Sequence, residues 1–415
     1  MPQRRSVPRA PVELNRLHGW QLRFQPVSIA LFLVAVAEPS VLTAYKYLGT
    51  AGLALLILLA PAIALGIAPC SEWLLARVSS RVASYCLLLI LVAVLVVSVV
   101  IYPRANVHIA MRGSDRDDAL FDAARALLHG QYPYSRPTYL GNPITPLPGA
   151  LILAAPFVLL RNVALANVFW SAVLVGTLWW WLRDLRPAVL ALLLALLSPE
   201  VMHEIATGGD MFANGIYVGA FALLVAVVIP RADVHVLAKV GAVALLGLGL
   251  SSRPTYWLVL PALFSYLRVR AGTRLAISWT ALSVVVLLVV TAPFYLASPS
   301  NFAPFHLTRK LAYTGAFIPD AGLVVPIVVA AISLAVFFRP LSTIRSFLVV
   351  AGAMVGLPTY LLAIANLAAA QSRISFEYFA AGLTATGLYI LALGGYLALL
   401  ASKPATSVVA PAARG

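Results

Sequence analysis

The sequence is poor in charged residues and in cysteine. Only 10% of its 415 residues are charged and 62% are hydrophobic, whereas about 25% of the residues of soluble globular domains are charged. This shortage of charge excludes an ordinary soluble domain and indicates a polytopic membrane protein. Cys70 and Cys86 lie in or beside hydrophobic segments, without a CxxC pair or a Cys/His cluster. Their placement argues against a disulfide framework and a cysteine zinc site.

Long hydrophobic runs are abundant instead. A helix that spans a membrane needs roughly 20 apolar residues, and about twelve candidate runs lie between residues 26 and 400. We therefore predict an all-α fold, with a single transmembrane bundle of about 12 spans. Residues 1–25 are basic and lack a cleavage site, which predicts a retained cytoplasmic tail. Residues 401–415 are predicted to form a short disordered cytoplasmic tail.

The distribution of the net charge of +15 predicts an orientation. Basic residues of membrane proteins concentrate in cytoplasmic loops, and with a cytoplasmic N-terminus most of the 29 basic residues fall on that side. Many carboxylates instead approach the outer side, namely Asp115, Asp117, Asp118, Asp122, Glu200, Glu204, Asp210, Asp320 and Glu377. We expect a multi-pass protein of the bacterial inner membrane, with both termini in the cytoplasm, chemistry on the outer face and no nucleic-acid partner.

A polar segment, 114–148, interrupts the hydrophobic runs and holds four of the fourteen carboxylates. We predict that the surrounding region, 103–162, is an outer loop that carries the reaction site. A serine or aspartate at the start of the segment can cap an amphipathic helix that ends near Gly130. The segment 147–160 is apolar but short for a membrane span, so we expect a re-entrant or interfacial helix there.

Asp117 lies at the start of the apolar side of this helix, because Phe121, Ala124 and Leu128 follow it at helical spacing. A carboxylate at a dehydrated boundary has a raised pKa, which suits a general base. The alternative is a carboxylate that only caps the helix. Asp118, on the polar face, is a candidate for sugar or acceptor binding and is otherwise a solvated side chain.

The rest of the polar segment is rich in aromatic, proline, amide and hydroxyl groups. Such a stretch can form a stiff wall that stacks on a sugar ring and hydrogen-bonds its hydroxyl groups. Tyr134, Tyr139 and Asn142 are the candidate sugar-binding or acceptor-binding residues. The alternative is a belt of aromatic side chains at the membrane interface.

The motifs of this loop resemble a known family. The run DDALF at 117–121, followed by AARALLHGQYPY and NPITPLPGALILAAPF, resembles the first outer loop of glycosyltransferase family 87 and related GT-C membrane glycosyltransferases. Phe121 stands where tyrosine is commoner in that family. The resemblance implies a GT-C fold, a polyprenyl-phosphate sugar as donor, an acceptor outside the cytoplasm and inversion at the anomeric carbon. It also implies that Asp117 is the catalytic residue and that the sugar is mannose or arabinofuranose.

A second outer turn, SPEVMHEIATGGDMFANG, places Glu204 and Asp210 at the outer end of a hairpin. Its Gly-Gly-Asp resembles the second outer-loop motif of several GT-C enzymes, which implies that these acids bind sugar or acceptor. His203 with Glu200 and Glu204 is an alternative divalent-cation site. A polar turn that simply closes the hairpin is the third interpretation. No metal ligand or cofactor is assigned, and a divalent cation is left as an open alternative.

Arg253 lies between two short hydrophobic segments, at a depth where ionisable residues are costly and by default functional. The resemblance implies that Arg253 contacts the lipid phosphate. A planar guanidinium group suits this role because it binds phosphate bidentately. The alternative is an arginine that extends to a lipid headgroup.

His306, Arg309 and Lys310 lie at i, i+3 and i+4 in the predicted outer loop 297–323, so they share one helical face. Cations on the outer side run against the usual charge distribution, which argues for an anionic ligand such as the donor phosphate. Binding to ordinary lipid headgroups is the alternative, above all for Lys310.

Together these features predict an integral membrane glycosyltransferase. Asp117 would take the proton from an acceptor hydroxyl, and the donor phosphate would be bound by Arg253, His306, Arg309 and Lys310. The expected partners are a polyprenyl-phosphate-linked sugar donor, a lipid or glycan acceptor and membrane lipids. One alternative is a transporter or flippase for a lipid-linked sugar or another anionic lipid. A second is an accessory membrane protein without enzymatic activity.

Overall fold

The computed structural model describes residues 21–106, 114–306, 318–369 and 376–401, and every regular element within them is a helix. The prediction of an all-α fold is confirmed for these residues. The α-helices are α1 (Gln21–Phe32), α2 (Ser40–Arg77), α3 (Ser80–Val96), α4 (Tyr102–Ala105), α5 (Arg116–Leu128), α6 (Pro148–Leu159), α7 (Leu165–Leu182), α8 (Leu185–Leu196), α9 (Pro199–Thr207), α10 (Met211–Val228), α11 (Val236–Leu250), α12 (Val259–Ala271), α13 (Thr273–Ala297), α14 (Ala321–Phe338), α15 (Ile344–Ala369), α16 (Glu377–Ala380) and α17 (Leu383–Ala401). Short π and 3-10 helices cover Leu33–Ala37, Val97–Ile101, Pro254–Leu258, Pro299–Asn301 and Ala303–Phe305.

Eight helices of the described residues are long and apolar enough to cross a membrane. The helices α8 and α9, bent by 83° at their junction, add a ninth if they count as one span. Three shorter apolar helices accompany them, namely Pro26–Ala37, Pro148–Leu159 and Val236–Leu250. The helices therefore fit a membrane protein, as the composition predicts, while the count of about 12 spans stays a prediction.

α6 is the short apolar helix expected within the outer loop. Its 12 residues give a length of about 18 Å, well below the ~30 Å of a hydrocarbon core. Pro148 begins the helix, where the N–H that proline lacks would have no partner in any case. The Leu147 N–H donates to the Ser252 carbonyl (2.8 Å), and the Gly149 N–H donates to Ser251 Oγ (3.2 Å). These bonds fix the start of α6 against the end of α11.

α10 and α17 form the centre of the bundle. In their most apolar 18-residue stretches, 83% of the residues of α10 and 78% of those of α17 are buried. In the helix Ser80–Ala105 and in α14 the share is only 11%. Gly215 of α10 and Gly387 of α17 lie so close that a Cβ at Gly387 would meet the backbone of Gly215. Small residues at such a crossing let two membrane helices approach closely. The outer helices present their apolar sides outward, as helices in contact with lipid do.

Charged side chains gather at both ends of the bundle. At one end, Arg186 donates to the Leu75 carbonyl (2.7 Å) and Arg268 donates to the Phe338 carbonyl (2.7 Å). These carbonyl groups lie at the C-terminal ends of α2 and α14, where unsatisfied carbonyls and the helix dipole favour cations. The opposite end collects the carboxylates of α5, of α9 and of the turn before α10. Asp117, Glu204 and Asp210, three of the polar residues predicted to form the site, therefore lie at the same end.

Candidate functional site

α5 begins the site. It covers Arg116–Leu128 and is followed by Gly130 at a φ of 69°, so the predicted helix and its glycine stop are confirmed. Leu120, Ala123 and Ala124 are buried, in a cluster that also includes side chains of α6. This apolar face holds α5 flat against the bundle and turns its first residues towards the polar end.

Asp117, in the first turn of α5, is almost fully buried, with 1% of its surface exposed. The Tyr102 hydroxyl donates a hydrogen bond to its Oδ2 (2.9 Å), and Asn106 donates to the Tyr102 hydroxyl oxygen (3.3 Å). Oδ1 has no hydrogen-bond partner within the described residues. A buried carboxylate that has one oxygen without a hydrogen-bond partner can accept a proton or a hydrogen bond from a ligand.

The environment of Asp117 changes its acidity. Burial raises the pKa of this carboxyl to about 7, and the nearby Asp118 carboxylate adds to the rise, while the hydrogen bond from Tyr102 lowers the pKa. Burial dominates because the charged form of the carboxyl group loses its hydration. A pKa near neutrality suits a general base. The predicted position at a dehydrated boundary is confirmed, and the catalytic role of Asp117 stays a prediction.

Asp115 lies just before α5 and holds the loop that follows the helix. Its Oδ2 accepts hydrogen bonds from Thr138 Oγ1 (2.6 Å) and Asn142 Nδ2 (2.8 Å). Gly141, at a φ of 80°, makes the turn between these two donors. The loop thereby places Asn142, one of the predicted sugar-binding or acceptor-binding residues, beside a carboxylate.

Arg116 connects α5 to α9 through buried ion pairs. Its Nη1 contacts Glu204 Oε1 and lies 3.4 Å from Glu200 Oε1, and Glu204 also accepts a hydrogen bond from the Met211 N–H (2.9 Å). Both glutamates are spaced one turn apart on α9, so they face the same side. Burial lowers the pKa of the Arg116 guanidinium, but the two carboxylates raise it by more, so Arg116 keeps its charge.

The bend between α8 and α9 explains how these glutamates reach α5. Ser198 ends the first helix and caps the second, because its Oγ accepts a hydrogen bond from the Val201 N–H (3.3 Å). The Ser198 hydroxyl also lies 2.8 Å from that of Ser40 on α2. Gly208, at a φ of 71°, ends α9 in the left-handed conformation that favours glycine. α9 therefore lies across the polar end instead of continuing α8.

Arg253 and Asp210 form a second buried ion pair. Nη2 of Arg253 lies 2.6 and 2.7 Å from the two carboxylate oxygens, and Asn214 Nδ2 donates to Asp210 Oδ2 (2.8 Å). Burial lowers the pKa of Arg253, but the Asp210 carboxylate raises it by more. Arg253, predicted to bind the donor phosphate, thus contacts Asp210, predicted to bind sugar or acceptor.

A cavity of about 210 Å³ opens where these elements meet. Its polar walls come from α5, the loop before α6 and the segment after α11, and consist of Asp115, Arg116, Thr138, Asn142, Thr145 and Arg253. One carboxylate, two guanidinium groups and several neutral polar groups suit a ligand that carries both donors and acceptors. Asp117 is the next residue after this wall and does not itself line the cavity.

The other predicted residues lie in different surroundings. Tyr134 is buried, with its hydroxyl donating to the Pro146 carbonyl (3.0 Å) and its ring 4.9 Å from that of Phe302, so it packs within the loop. Tyr139 is 37% exposed. His306 follows the 3-10 helix Ala303–Phe305 and is half-buried.

Two of the residues predicted to bind the donor phosphate, Arg309 and Lys310, lie outside the described residues. Asp118 is half-buried next to Asp117, and its carboxylate contributes to the raised pKa of Asp117. The described residues contain no group of three or more His, Cys, Asp or Glu side chains that could hold a metal ion. The predicted roles of all these residues stay predictions.

Arg116 and Thr138 are cavity residues that the sequence did not single out. The available signal for Arg116 was its position directly before Asp117, in a chain that has few charged residues. Its partners on α9 are 84 and 88 residues away along the chain, so no local pattern could connect them.

Comparison of the chain with family models, curated proteins and solved structures gives no match.

Proposed function

We propose that this protein is an integral membrane glycosyltransferase. It transfers one sugar, mannose or arabinofuranose, from a polyprenyl-phosphate sugar to a lipid or polysaccharide acceptor outside the cytoplasm, with inversion at the anomeric carbon. The main support is the polar cavity next to a buried carboxylate at one end of an apolar helical bundle. Such a bundle keeps the lipid chain of the donor within the membrane while its polar head enters the cavity.

The volume of the cavity limits what it accepts. Pockets for drug-sized ligands have about 300–1,000 Å³, whereas this cavity has about 210 Å³. It therefore suits a group as small as a single sugar ring with its linking phosphate. Thr138, Asn142 and Thr145 offer hydroxyl and amide groups to the sugar, and Asp115 offers a carboxylate oxygen.

The proposed reaction uses one base and one stabilised leaving group. The acceptor oxygen attacks the anomeric carbon on the face opposite the phosphate and forms the new C–O bond. The bond between the anomeric carbon and the phosphate oxygen breaks, and its electron pair stays on the phosphate. The proton of the acceptor hydroxyl moves to the carboxylate of Asp117, the residue that follows Arg116 of the cavity wall. The products are the glycoside and the free polyprenyl phosphate.

The cations of the outer side bind the donor phosphate in this proposal. Arg253 lines the cavity, and His306 lies in the loop whose Phe305 ring is 5.7 Å from that of Trp257, four residues beyond Arg253. Arg309 and Lys310 continue the same loop in sequence. A phosphate between these segments would be close to the sugar in the cavity.

We also propose a GT-C type arrangement in the bacterial inner membrane, with both termini in the cytoplasm and the cavity on the outer face. The basic residues gathered at the opposite end support this orientation. α6 would be re-entrant. The twelve spans would be α1 with its π turn, α2, α3, α7, α8 with α9, α10, α11, α12, α13, α14, α15 and α17.

The test is sugar transfer by the purified full-length protein from a panel of radiolabelled polyprenyl-phosphate sugars to acceptors in membranes. The wild type is expected to transfer one sugar. Asp117→Asn keeps the size of the side chain and the bond from Tyr102 but cannot take a proton, so kcat should fall by about 10²–10⁴-fold. Initial rates at saturating donor measure this effect.

Two further variants complete the test. Arg125→Gln changes an exposed residue of the same helix and should transfer at the wild-type rate. Asp115→Asn changes the carboxylate on the cavity wall and should raise KM more than it lowers kcat. If Asp115→Asn abolishes kcat while Asp117→Asn stays active, Asp115 is the base. Wild-type protein that transfers no sugar from any donor of the panel would contradict the proposal.

A second candidate function is a transporter or flippase for a lipid-linked sugar or another anionic lipid. Both carboxylate oxygens of Glu38, which lies between the π turn Leu33–Ala37 and α2, are buried without a hydrogen-bond partner in the described residues. Ionisable groups at membrane depth often mark transport pathways, and π turns are frequent at functional sites. Movement of a labelled lipid phosphate across proteoliposomes, lost in Glu38→Gln, would favour this function.

A further inference from the structure

Two arginines from distant parts of the chain line the same cavity. Arg116 lies in the first turn of α5, and Arg253 lies between α11 and the 3-10 helix Pro254–Leu258. The sequence singles out Arg253 as a phosphate ligand but gives no role to Arg116. Their common position in the cavity wall suggests that they act on one ligand.

Buried carboxylates hold each arginine in place. Arg116 pairs with Glu204 and Glu200, whose side chains are 0% and 2% exposed, and Arg253 pairs with Asp210, whose side chain is 1% exposed. None of these three carboxylates lines the cavity. An arginine fixed in this way loses little side-chain entropy when it binds a ligand.

Within the described residues, the ion pairs engage one nitrogen of each guanidinium group. A guanidinium group carries five N–H donors in a planar fork. The carboxylates contact Nη1 of Arg116 and Nη2 of Arg253, and the buried Nε of Arg253 has no hydrogen-bond partner in the described part of the chain.

We infer that Arg116 and Arg253 together bind the phosphate of the polyprenyl-phosphate group, an inference that rests on the proposed function. Arginine binds phosphate through short, charge-assisted and often bidentate hydrogen bonds. Phosphate gains negative charge as its bond to the anomeric carbon breaks, and two cations already fixed at the cavity wall stabilise that charge without rearrangement. Arg116 directly precedes Asp117 on α5. The proposed base and one ligand of the leaving phosphate are therefore neighbours on one helix.

The test measures equilibrium binding of radiolabelled farnesyl phosphate, a short polyprenyl phosphate, to the full-length protein in nanodiscs, with farnesol as the uncharged comparison. Loss of Arg116 alone leaves its closest partner, the buried Glu204 carboxylate, unpaired and can unfold the protein. The variant is therefore Arg116→Gln combined with Glu204→Gln, in which Glu200 keeps the hydrogen bond from the Thr43 hydroxyl. The parallel variant combines Arg253→Gln with Asp210→Asn. Each should weaken farnesyl phosphate binding by about 10- to 100-fold, the value of hydrogen bonds to a charged group, and leave farnesol binding unchanged.

A change at an exposed arginine of the same helix serves as the control, because Arg125→Gln leaves both ion pairs intact and should bind farnesyl phosphate as the wild type does. The inference is overturned if the Arg116 double variant binds farnesyl phosphate undiminished, or if farnesol binding falls by the same factor. Wild-type protein that does not bind farnesyl phosphate also overturns it.

Sugar transfer, measured on the same preparations, separates this inference from the proposed function. If the wild type transfers sugar but farnesyl phosphate binding does not depend on Arg116, the inference about Arg116 is wrong and the proposed glycosyltransferase function still stands. If farnesyl phosphate binding depends on Arg116 but no donor supports transfer, the proposed glycosyltransferase function is wrong and the phosphate site still stands.

Discussion

Asp117 is buried, and one of its two carboxylate oxygens receives a hydrogen bond from Tyr102. Burial and the Asp118 charge disfavour the ionised form, while the bond from Tyr102 favours it. Burial has the larger effect, since the pKa is about 7 and the ordinary value is 3.8. The pKa of Asp117 therefore lies in the neutral range, where a change in its surroundings alters the amount of ionised base.

Removal of the Tyr102 hydroxyl tests this balance. The transfer rate of the wild type should rise with pH through about 7, because Asp117 accepts a proton only when it is ionised. Tyr102→Phe removes the donor that stabilises the ionised form, so the midpoint should move up by about one pH unit. Profiles of kcat against pH across the neutral range measure the shift.

Tyr85→Phe is the matched control, because Tyr85 is an exposed tyrosine of α3 and should leave the pH profile unchanged. A Tyr102→Phe midpoint that stays in place, or that moves to lower pH, would show that the hydrogen bond does not control the ionisation of the base. A lower rate with an unchanged midpoint would indicate a role in packing alone.

The two ion pairs of the site hold Arg116 and Arg253 in position but contribute little to the free energy of unfolding. A buried pair gains Coulomb energy but loses the hydration of both ions, so its net contribution is often close to zero. Arg116 and Arg253 are each fixed by such a pair, which gives the cavity two cations in set positions. Loss of one partner would cost about 3–5 kcal/mol, which is why the variants above change both partners.

At the scale of elements, the crossing of α10 and α17 determines how tightly the bundle packs. Gly215 and Gly387 meet with no room for a side chain. Nearby, a Cβ at Gly219 would contact Leu391 Cδ1 at 2.7 Å. Apolar helices in lipid associate through close packing, since lipid chains are as apolar as the helices themselves. The absence of side chains at this crossing is therefore a direct source of stability.

A comparison of two glycine variants measures the contribution of this crossing. Gly387→Ala places a methyl group against the backbone of Gly215, and overpacking of this kind costs about 1–3 kcal/mol. The apparent melting temperature in detergent should fall by about 2 °C or more. Gly176→Ala, on an exposed face of α7 with no atom within 4 Å of the added carbon, should leave it unchanged or raise it slightly.

Equal melting temperatures for Gly387→Ala and the wild type would mean that the two helices do not approach as closely as the structure has them. A large loss in Gly176→Ala would instead indicate that the face of α7 contacts a partner and not lipid.

At the scale of the whole molecule, the charged groups at the two ends of the bundle have different partners. Arginines bond the carbonyl ends of α2 and α14 at one end, and the carboxylates of α5, α9 and the turn before α10 lie at the other. The membrane potential and the insertion machinery act on basic loops, which remain in the cytoplasm. The cavity is then expected to open to the outside.

Accessibility of single cysteines tests this orientation. In a chain with Cys70 and Cys86 replaced by alanine, Ser135→Cys lies in the exposed loop at the polar end and Ser342→Cys lies between α14 and α15. A membrane-impermeant maleimide should label Ser135→Cys in intact cells and Ser342→Cys only after the cells are opened. The reverse pattern would place the cavity in the cytoplasm and contradict the proposed acceptor.

The sequence by itself determined that the described residues form long apolar helices that fit a membrane protein, as well as the bounds of α5 and the burial of Asp117. These properties follow from composition and from the spacing of apolar residues, which act within one helix and can be counted along the chain. Only the tertiary structure decided that Arg116 pairs with the glutamates of α9, 84 and 88 residues away, and that Arg253 pairs with Asp210, 43 residues away. Such pairs depend on which helix ends the bundle brings together. The cavity formed by both arginines is therefore a property of the packed bundle, which no local pattern encodes.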